Sequence, residues 1–360
     1  MFNTMDEMSK MSRWFRFLVK ICLIPLTLNM TTKQVRFKIW SRPTAYFLLY
    51  LFFVTGFGYF SMFYTWGFKN IITFWINLYQ ANLTDFLTFA VLVAFYASTI
   101  IPIKHLYCIP KISNEIVLDT NLKWPKHGAL VVLLTFLCIS SQIILIIFTI
   151  NSNTKIDQNT LIWISLVIVI ELFFSYFIVS NIFLFYLSWL EQFSKICNKS
   201  YSNYTLDHAE NCLYIYKSIQ DALSFIFLDF FIFGQVIIVI TLYMCISTAF
   251  FGPYNLLSNM ILTFCYGIIF LHFGISLYVL IMATESTYIS LQKLVKPLKI
   301  ILMKETNEDT KINAQLLIHE IKNTPPLNGY GYFELKRDTL TSITSTTVTY
   351  LVILLQFRNA

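Results

Sequence analysis

Seven runs of apolar residues, each close to the ~20 needed to cross a bilayer as a helix, constrain this chain more than any other feature. They fall at Thr44–Tyr64, Asp85–Ile103, Gly128–Ile150, Leu161–Leu187, Phe225–Phe251, Leu262–Ala283 and Leu340–Phe357. Lipid offers backbone amides no hydrogen-bond partner, so such runs are predicted to be helices. Composition agrees, with 57% of the 360 residues hydrophobic and 12% charged, against about 25% charged in a soluble domain. The net charge of +7 would suggest nucleic acid in a soluble chain; here membrane orientation explains it and no nucleic-acid partner is expected.

Lys and Arg collect on the cytoplasmic side of membrane proteins. With the N-terminus inside, all of the 26 Lys and Arg except Lys69, Lys155 and Arg358 fall on inner segments. The predicted fold class is an all-α membrane protein with seven transmembrane helices, a cytoplasmic N-terminus and an extracellular C-terminus. The expected division is a cytoplasmic N-terminal segment at 1–43, a six-helix bundle at 44–283, a cytoplasmic helical segment at 284–339 and the seventh helix at 340–360. Phe17–Leu28 is apolar but short, is interrupted by Lys20 and Pro25, and precedes no small-residue cleavage site. It reads as an interfacial segment rather than a cleaved signal.

The inner connections Ser188–Ser224 and Thr284–Thr339 are long, and Ile312–Ile321 repeats apolar residues at helical spacing. Projecting helices with apolar faces need cover, either from neighbouring subunits or from the same chain.

The seventh run reads SITSTTVTYLVILLQF from Ser342 to Phe357. Residues seven apart nearly align on a helix, so Ser342, Thr349 and Gln356 share a face, with Ser345 and Thr346 beside them and Tyr350 and Phe357 on the next stripe. An uncharged polar stripe suits either a helix–helix seam or the wall of a water-filled path. Other polar groups within spans are Glu171, His272, Gln142 and Gln235; with Tyr176 and Tyr266 they are candidates for an apolar ligand cavity with a few polar points. For Glu171 the alternative is a structural pair with a neighbouring helix, and for His272 a satisfied core histidine.

No phosphate loop, HExxH or GxSxG is present, so no catalytic activity and no cofactor are expected. The seven cysteines all fall in spans or on the inner side, where the cytosol is reducing, so no disulfide is expected. Cys108 and Cys197 with His105 or His208 lack metal-ligand spacing, so no metal is expected either. Asn82-Leu83-Thr84 is a possible glycosylation acceptor in an outer loop.

The close of the chain resembles a known family. Thr349-Tyr350, five apolar residues, then Gln356-Phe357 match the TYhhhhhQF signature that ends insect gustatory receptors, and Gly331-Tyr332-Phe333-Glu334-Leu335 resembles their glycine–aromatic–aromatic lead into the last helix. The inside N-terminus also fits the gustatory and odorant receptors of insects and not a G-protein-coupled receptor. The resemblance implies a ligand-gated, non-selective cation channel opened by a small-molecule tastant. It would lie in the plasma membrane of a sensory neuron dendrite, in contact with membrane lipid, as a tetramer of this chain or of related subunits. It implies that the segment before the last helix is a cytoplasmic anchor and that the last helix lines the pore. Gln356 and Phe357 become gate candidates, Thr349 and Tyr350 contacts that steady the helix, and Ile353, Ser342, Ser345 and Thr346 part of the same pore wall. Many sugar-sensing members carry Glu after the signature Tyr, where this chain has Leu351; bitter, fructose-type or other ligands stay open. The alternatives are an odorant-type channel subunit, a metabotropic heptahelical receptor, and a transporter. A transporter would call for paired Gly/Pro-broken spans.

Overall fold

The computed structural model describes residues 26–29, 34–37, 125–152, 183–184, 186–198, 205–251 and 256–358. The expected spans at 44–64 and 85–103, and most of that at 161–187, lie outside the described residues.

Two strands, β1 (Leu26–Asn29) and β2 (Gln34–Phe37), pair antiparallel, with Leu26 opposite Phe37 and Leu28 opposite Val35. Thr27 stands opposite Arg36 and Asn29 opposite Gln34 in the same register. This hairpin lies within the expected N-terminal segment 1–43 and is a small exception to the all-helical plan.

The remaining elements are helices: α1 (Gly128–Ser152), α2 (Leu206–Phe251), α3 (Leu256–Lys293), α4 (Val295–Lys304), α5 (Glu308–Asn323) and α6 (Arg337–Arg358). Residues 183–184 and 186–198 are also helical. By length and apolarity, α2, α3 continued by α4, and α6 suffice to cross a membrane. The 46 residues of α2 extend about 69 Å at helical rise, roughly twice the hydrocarbon thickness. Its apolar C-terminal half matches the expected span from Phe225, while its polar N-terminal half projects beyond it.

The break between α3 and α4 has a local cause. Pro297 lacks an N–H and its ring crowds the carbonyl four residues back, so the helix interrupts at Leu294 and restarts with Pro297 in its first turn, where proline is tolerated. Asn307 caps α5, its side chain accepting from the Asp309 amide at 3.0 Å, with Glu308 and Asp309 at the positive end of the helix and Lys322 in the last turn. Pro325 and Pro326 follow at once and stop it, since a residue before proline avoids helical geometry.

The main core lies where the 186–198 segment meets the N-terminal half of α2, the end of α3, α4 and α5. Tyr186, Trp189, Phe193, Tyr216 and Phe227 are its largest fully buried side chains. Trp189 meets Tyr186 edge-on at 5.7 Å, and Phe193 tilts against Tyr216 at 5.9 Å. Such contacts add to the area burial of each ring. Hydroxyls tie the segments together: Ser194 and Ser290 lie 2.6 Å apart, and Thr287 donates to the Leu190 carbonyl at 3.2 Å. The projecting helices therefore cover much of their apolar surface within one chain. In α5, Ala314, Leu317, Ile318 and Ile321 are buried, whereas Ile312 and Leu316 remain exposed.

Candidate functional site

α6 is held at its base by a compact turn. Asn328 and Glu334 form an antiparallel bridge, with the Gly329 amide donating to the Phe333 carbonyl at 3.0 Å and the Leu335 amide to the Leu327 carbonyl at 2.8 Å. Tyr330 and Gly331 have φ of 54° and 80°, a region that glycine enters without strain and tyrosine does not. A Cβ on Gly329 would stand 2.5 Å from Phe333 Cζ and 3.2 Å from Leu228 Cα. Glycine is thus required there by close approach to α2.

Four contacts lock this turn to the long helices. The Gln220 amide on α2 grips Asn328 through both of its ends: Nε2 donates to the main-chain oxygen at 3.1 Å and to Oδ1 at 2.9 Å, and Oε1 accepts from the Asn328 amide at 2.9 Å. Phe333 stacks on Phe231 at 4.1 Å. Thr284 on α3 donates to the Leu335 carbonyl at 3.3 Å, and Arg337 Nε reaches Glu285 at 2.8 Å. The Tyr216 hydroxyl donates to the Pro325 carbonyl at 3.0 Å; burial pushes its pKa well above the ordinary range. Glu334, 2.9 Å from the Lys336 ammonium, raises that group in the same direction. Beside the turn, a cavity of about 330 Å³ opens between α2 and α5, lined by Tyr216, Lys217, Gln220, Asp221, Glu320 and Asn323 among others. Lys217 and Glu320 pair across it.

Above the turn α6 has two unlike faces. Thr339, Ile343 and Thr347, spaced four apart, are buried. Gln235 on α2 donates to Thr347 Oγ1 at 2.7 Å and to the Ile343 carbonyl at 3.4 Å. Higher up, Leu351, Leu354 and Leu355 pack against Ile240, Tyr243 and Met244. About a third of a turn round the helix, Ser342, Ser345, Thr346, Thr349 and Gln356 are all exposed, as are Tyr350 and Ile353. Only 11% of the apolar window of α6 is buried in the chain, against 47% for α2 and 39% for α3 with α4. α6 is therefore a peripheral helix that its own chain leaves largely uncovered. The Thr349 hydroxyl donates to the Ser345 carbonyl at 2.9 Å, and Thr344 does the same to Leu340. Their donors are spent on the helix and their oxygens face outward.

The ligand candidates separate. Gln235 turns to α6. His272 is buried and meets Phe273 edge-on at 5.2 Å, and Tyr266 packs with Cys138, Ile237 and Ile269. Glu171, Tyr176 and Asn82 lie outside the described residues, as do the side chains of Gln142 and Phe357. Thr347, Gln220 and Asn328 carry the attachment of α6 but stand in no motif. For Thr347, the i, i+4 series with Thr339 and Ile343 was the available signal.

Among solved structures, the chain is similar to the insect olfactory receptor OR5 from Machilis hrabei in complex with eugenol, with 12% identity and a TM-score of 0.63 over 96% of this chain and 98% of that one. A second structure of that receptor matches with 10% identity and a TM-score of 0.60 over the same shares. No protein-family model matches, and no curated protein matches in sequence. The likeness shows the fold: this chain has the fold of that insect olfactory receptor.

Proposed function

We propose that this chain is one subunit of a ligand-gated, non-selective cation channel of a chemosensory plasma membrane, opened by a small-molecule tastant. Its N-terminus lies in the cytoplasm, and four copies place α6 around a common path. The observation that carries this reading is the division of α6: one stripe packs on α2, while the hydroxyl and amide stripe is left bare. Lipid gives that bare stripe nothing to bond, whereas facing copies of α6 would hold it against water. Neutral hydroxyl oxygens favour cations weakly and without sharp selection, since the stripe has no acidic ring. At the far end, Gln356 and Phe357 serve as the gate, with Tyr350 and Ile353 narrowing the wall below.

The anchor segment 284–339 comprises the end of α3, α4, α5 and the turn before α6. A ligand held among the other spans then shifts closed against open by its differential affinity for the two. The eugenol complex of the structural neighbour supports a small organic ligand. Leu351 packs against the apolar cluster of Ile240 and Tyr243, where a glutamate would need a charge partner, which speaks against the sugar-sensing subgroup that carries glutamate there. The second reading is an odorant-type subunit, favoured by neighbours that are both olfactory receptors.

The test is cysteine substitution in cells expressing this chain alone. A charged thiol reagent added in the bath is expected to change the current through Ser345→Cys and Thr349→Cys and to leave Thr344→Cys and Val348→Cys unaffected. The reverse pattern, or no current from protein that reaches the surface, refutes the proposal. Applying panels of volatile and of non-volatile compounds separates odorant from tastant.

A further inference from the structure

Gln235 lies in the apolar half of α2, and its side chain is only half engaged. Nε2 donates to Thr347 Oγ1 at 2.7 Å and, more weakly, to the Ile343 carbonyl at 3.4 Å. Oε1 is buried with no hydrogen-bond partner among the described residues. Buried amides that serve packing alone are normally satisfied at both ends. One that keeps a strong bond at one end and a spare acceptor at the other is a costly feature for a membrane span. Its partner Thr347 is buried, and the hydroxyls of Thr344 and Thr346 flank it along the same helix.

The position matters as much as the chemistry. Below Gln235, α6 is fixed by the turn at Asn328–Leu335. Above it, the remaining hold on α2 is a small apolar cluster of Leu351, Leu354 and Leu355 against Ile240, Tyr243 and Met244. Apolar contacts slide at little cost, whereas a hydrogen bond to one hydroxyl specifies an angle. Among the described residues, the Gln235–Thr347 bond is thus the directional restraint between the fixed base of α6 and its far end on α2.

We infer that Gln235 and Thr347 form a latch that sets the rotation of α6 against α2, and that gating breaks this bond. The inference rests on the channel reading and adds to it the pair that sets the balance of states. An average membrane hydrogen bond contributes about 0.6 kcal/mol, or about threefold in an equilibrium. Four latches released together, about 2.4 kcal/mol, would compound to about sixtyfold.

The test is a double-mutant cycle on the resting open probability of the purified full chain in planar bilayers bathed in sodium chloride. Gln235→Leu and Thr347→Val are each expected to move it in the same direction, by between about threefold and about sixtyfold. The double variant should go no further than the larger single change. Thr347→Ser, which keeps the hydroxyl, should stay nearer the wild type than Thr347→Val. Effects that multiply, that run in opposite directions, or that are the same for Ser and Val at 347 overturn the latch while leaving the channel reading intact. Should Gln235→Leu fail to assemble, the contrast of Val with Ser at 347 decides alone. Reconstituted wild-type assemblies that pass no current sink the channel reading and the latch with it.

Discussion

Replacing Gln220 by leucine, similar in bulk but unable to hydrogen-bond, should loosen the turn that carries α6. The change removes the grip on Asn328 Oδ1, on the Asn328 carbonyl and on the Asn328 amide, with bonds of 2.9, 3.1 and 2.9 Å. Net contributions of about 0.5–1.5 kcal/mol per bond, with the shared Nε2 donor counted once and the Asn328 amide left without its partner, give about 2–3 kcal/mol. The stack of Phe333 on Phe231 and the Thr284 bond to Leu335 remain, so the loss should appear as local opening rather than global unfolding. An opening cheaper by that amount speeds amide exchange by about 30- to 150-fold. Hydrogen exchange read by mass spectrometry should show this in peptides over residues 325–336. Peptides from α5 should change much less, because the buried face of that helix does not use Gln220. Equal protection of the turn in both proteins, or a loss spread evenly over α5, would show that the amide grip does not hold the turn.

Other outcomes follow from the same contacts. Gly329→Ala should lower thermal stability of the detergent-solubilised protein by several degrees or prevent its accumulation, because the added methyl meets the Phe333 ring and the Leu228 backbone; unchanged melting would contradict that close approach. Burial holds Tyr216 neutral well beyond the ordinary tyrosine range. Its stabilising effect is complete below about pH 10, where the unfolded tyrosine begins to ionise, and falls as pH rises further. Tyr216→Phe should remove this alkaline decline at the cost of about 1 kcal/mol for the bond to Pro325. Cys197 and Cys212 are both buried, and the hydrogen bond between them together with burial pushes the Cys197 thiol up. Iodoacetamide at pH 8 should label them only after denaturation, and rapid labelling of the folded protein would refute their enclosure.

The helical plan was legible because lipid allows few alternatives: α1, α3 and α6 fall where apolar runs placed them, and α5 where apolar residues recur at helical spacing. The inner connection before Phe225 is expected to be helical, and from Leu206 it runs without a break into the span. Its buried series Ala209, Cys212, Leu213, Tyr216 and Ile219 carries the helical period. The interruption before Pro297 follows from proline's missing donor. The β1–β2 pairing rests on alternation over only four residues per strand, too short to stand out beside an apolar stretch. The attachment of α6 was harder still. Gln220 and Asn328 meet across 108 residues of chain, and nothing local to either announces the other. Gln235 was recognisable as costly inside a span and was read as a ligand group; that its amide reaches Thr347 is a fact of helix packing, which polarity alone does not specify.

A pore role for α6 depends on which way its bare stripe faces once copies assemble in a bilayer. A cryo-electron microscopy map of the full chain in lipid nanodiscs would show it directly. The expected result is four α6 helices about one axis, with Ser342, Ser345, Thr346, Thr349 and Gln356 turned toward it and the Gln235 side packed outward on α2. Lipid density along that hydroxyl stripe, with α6 far from any symmetry axis, would contradict it.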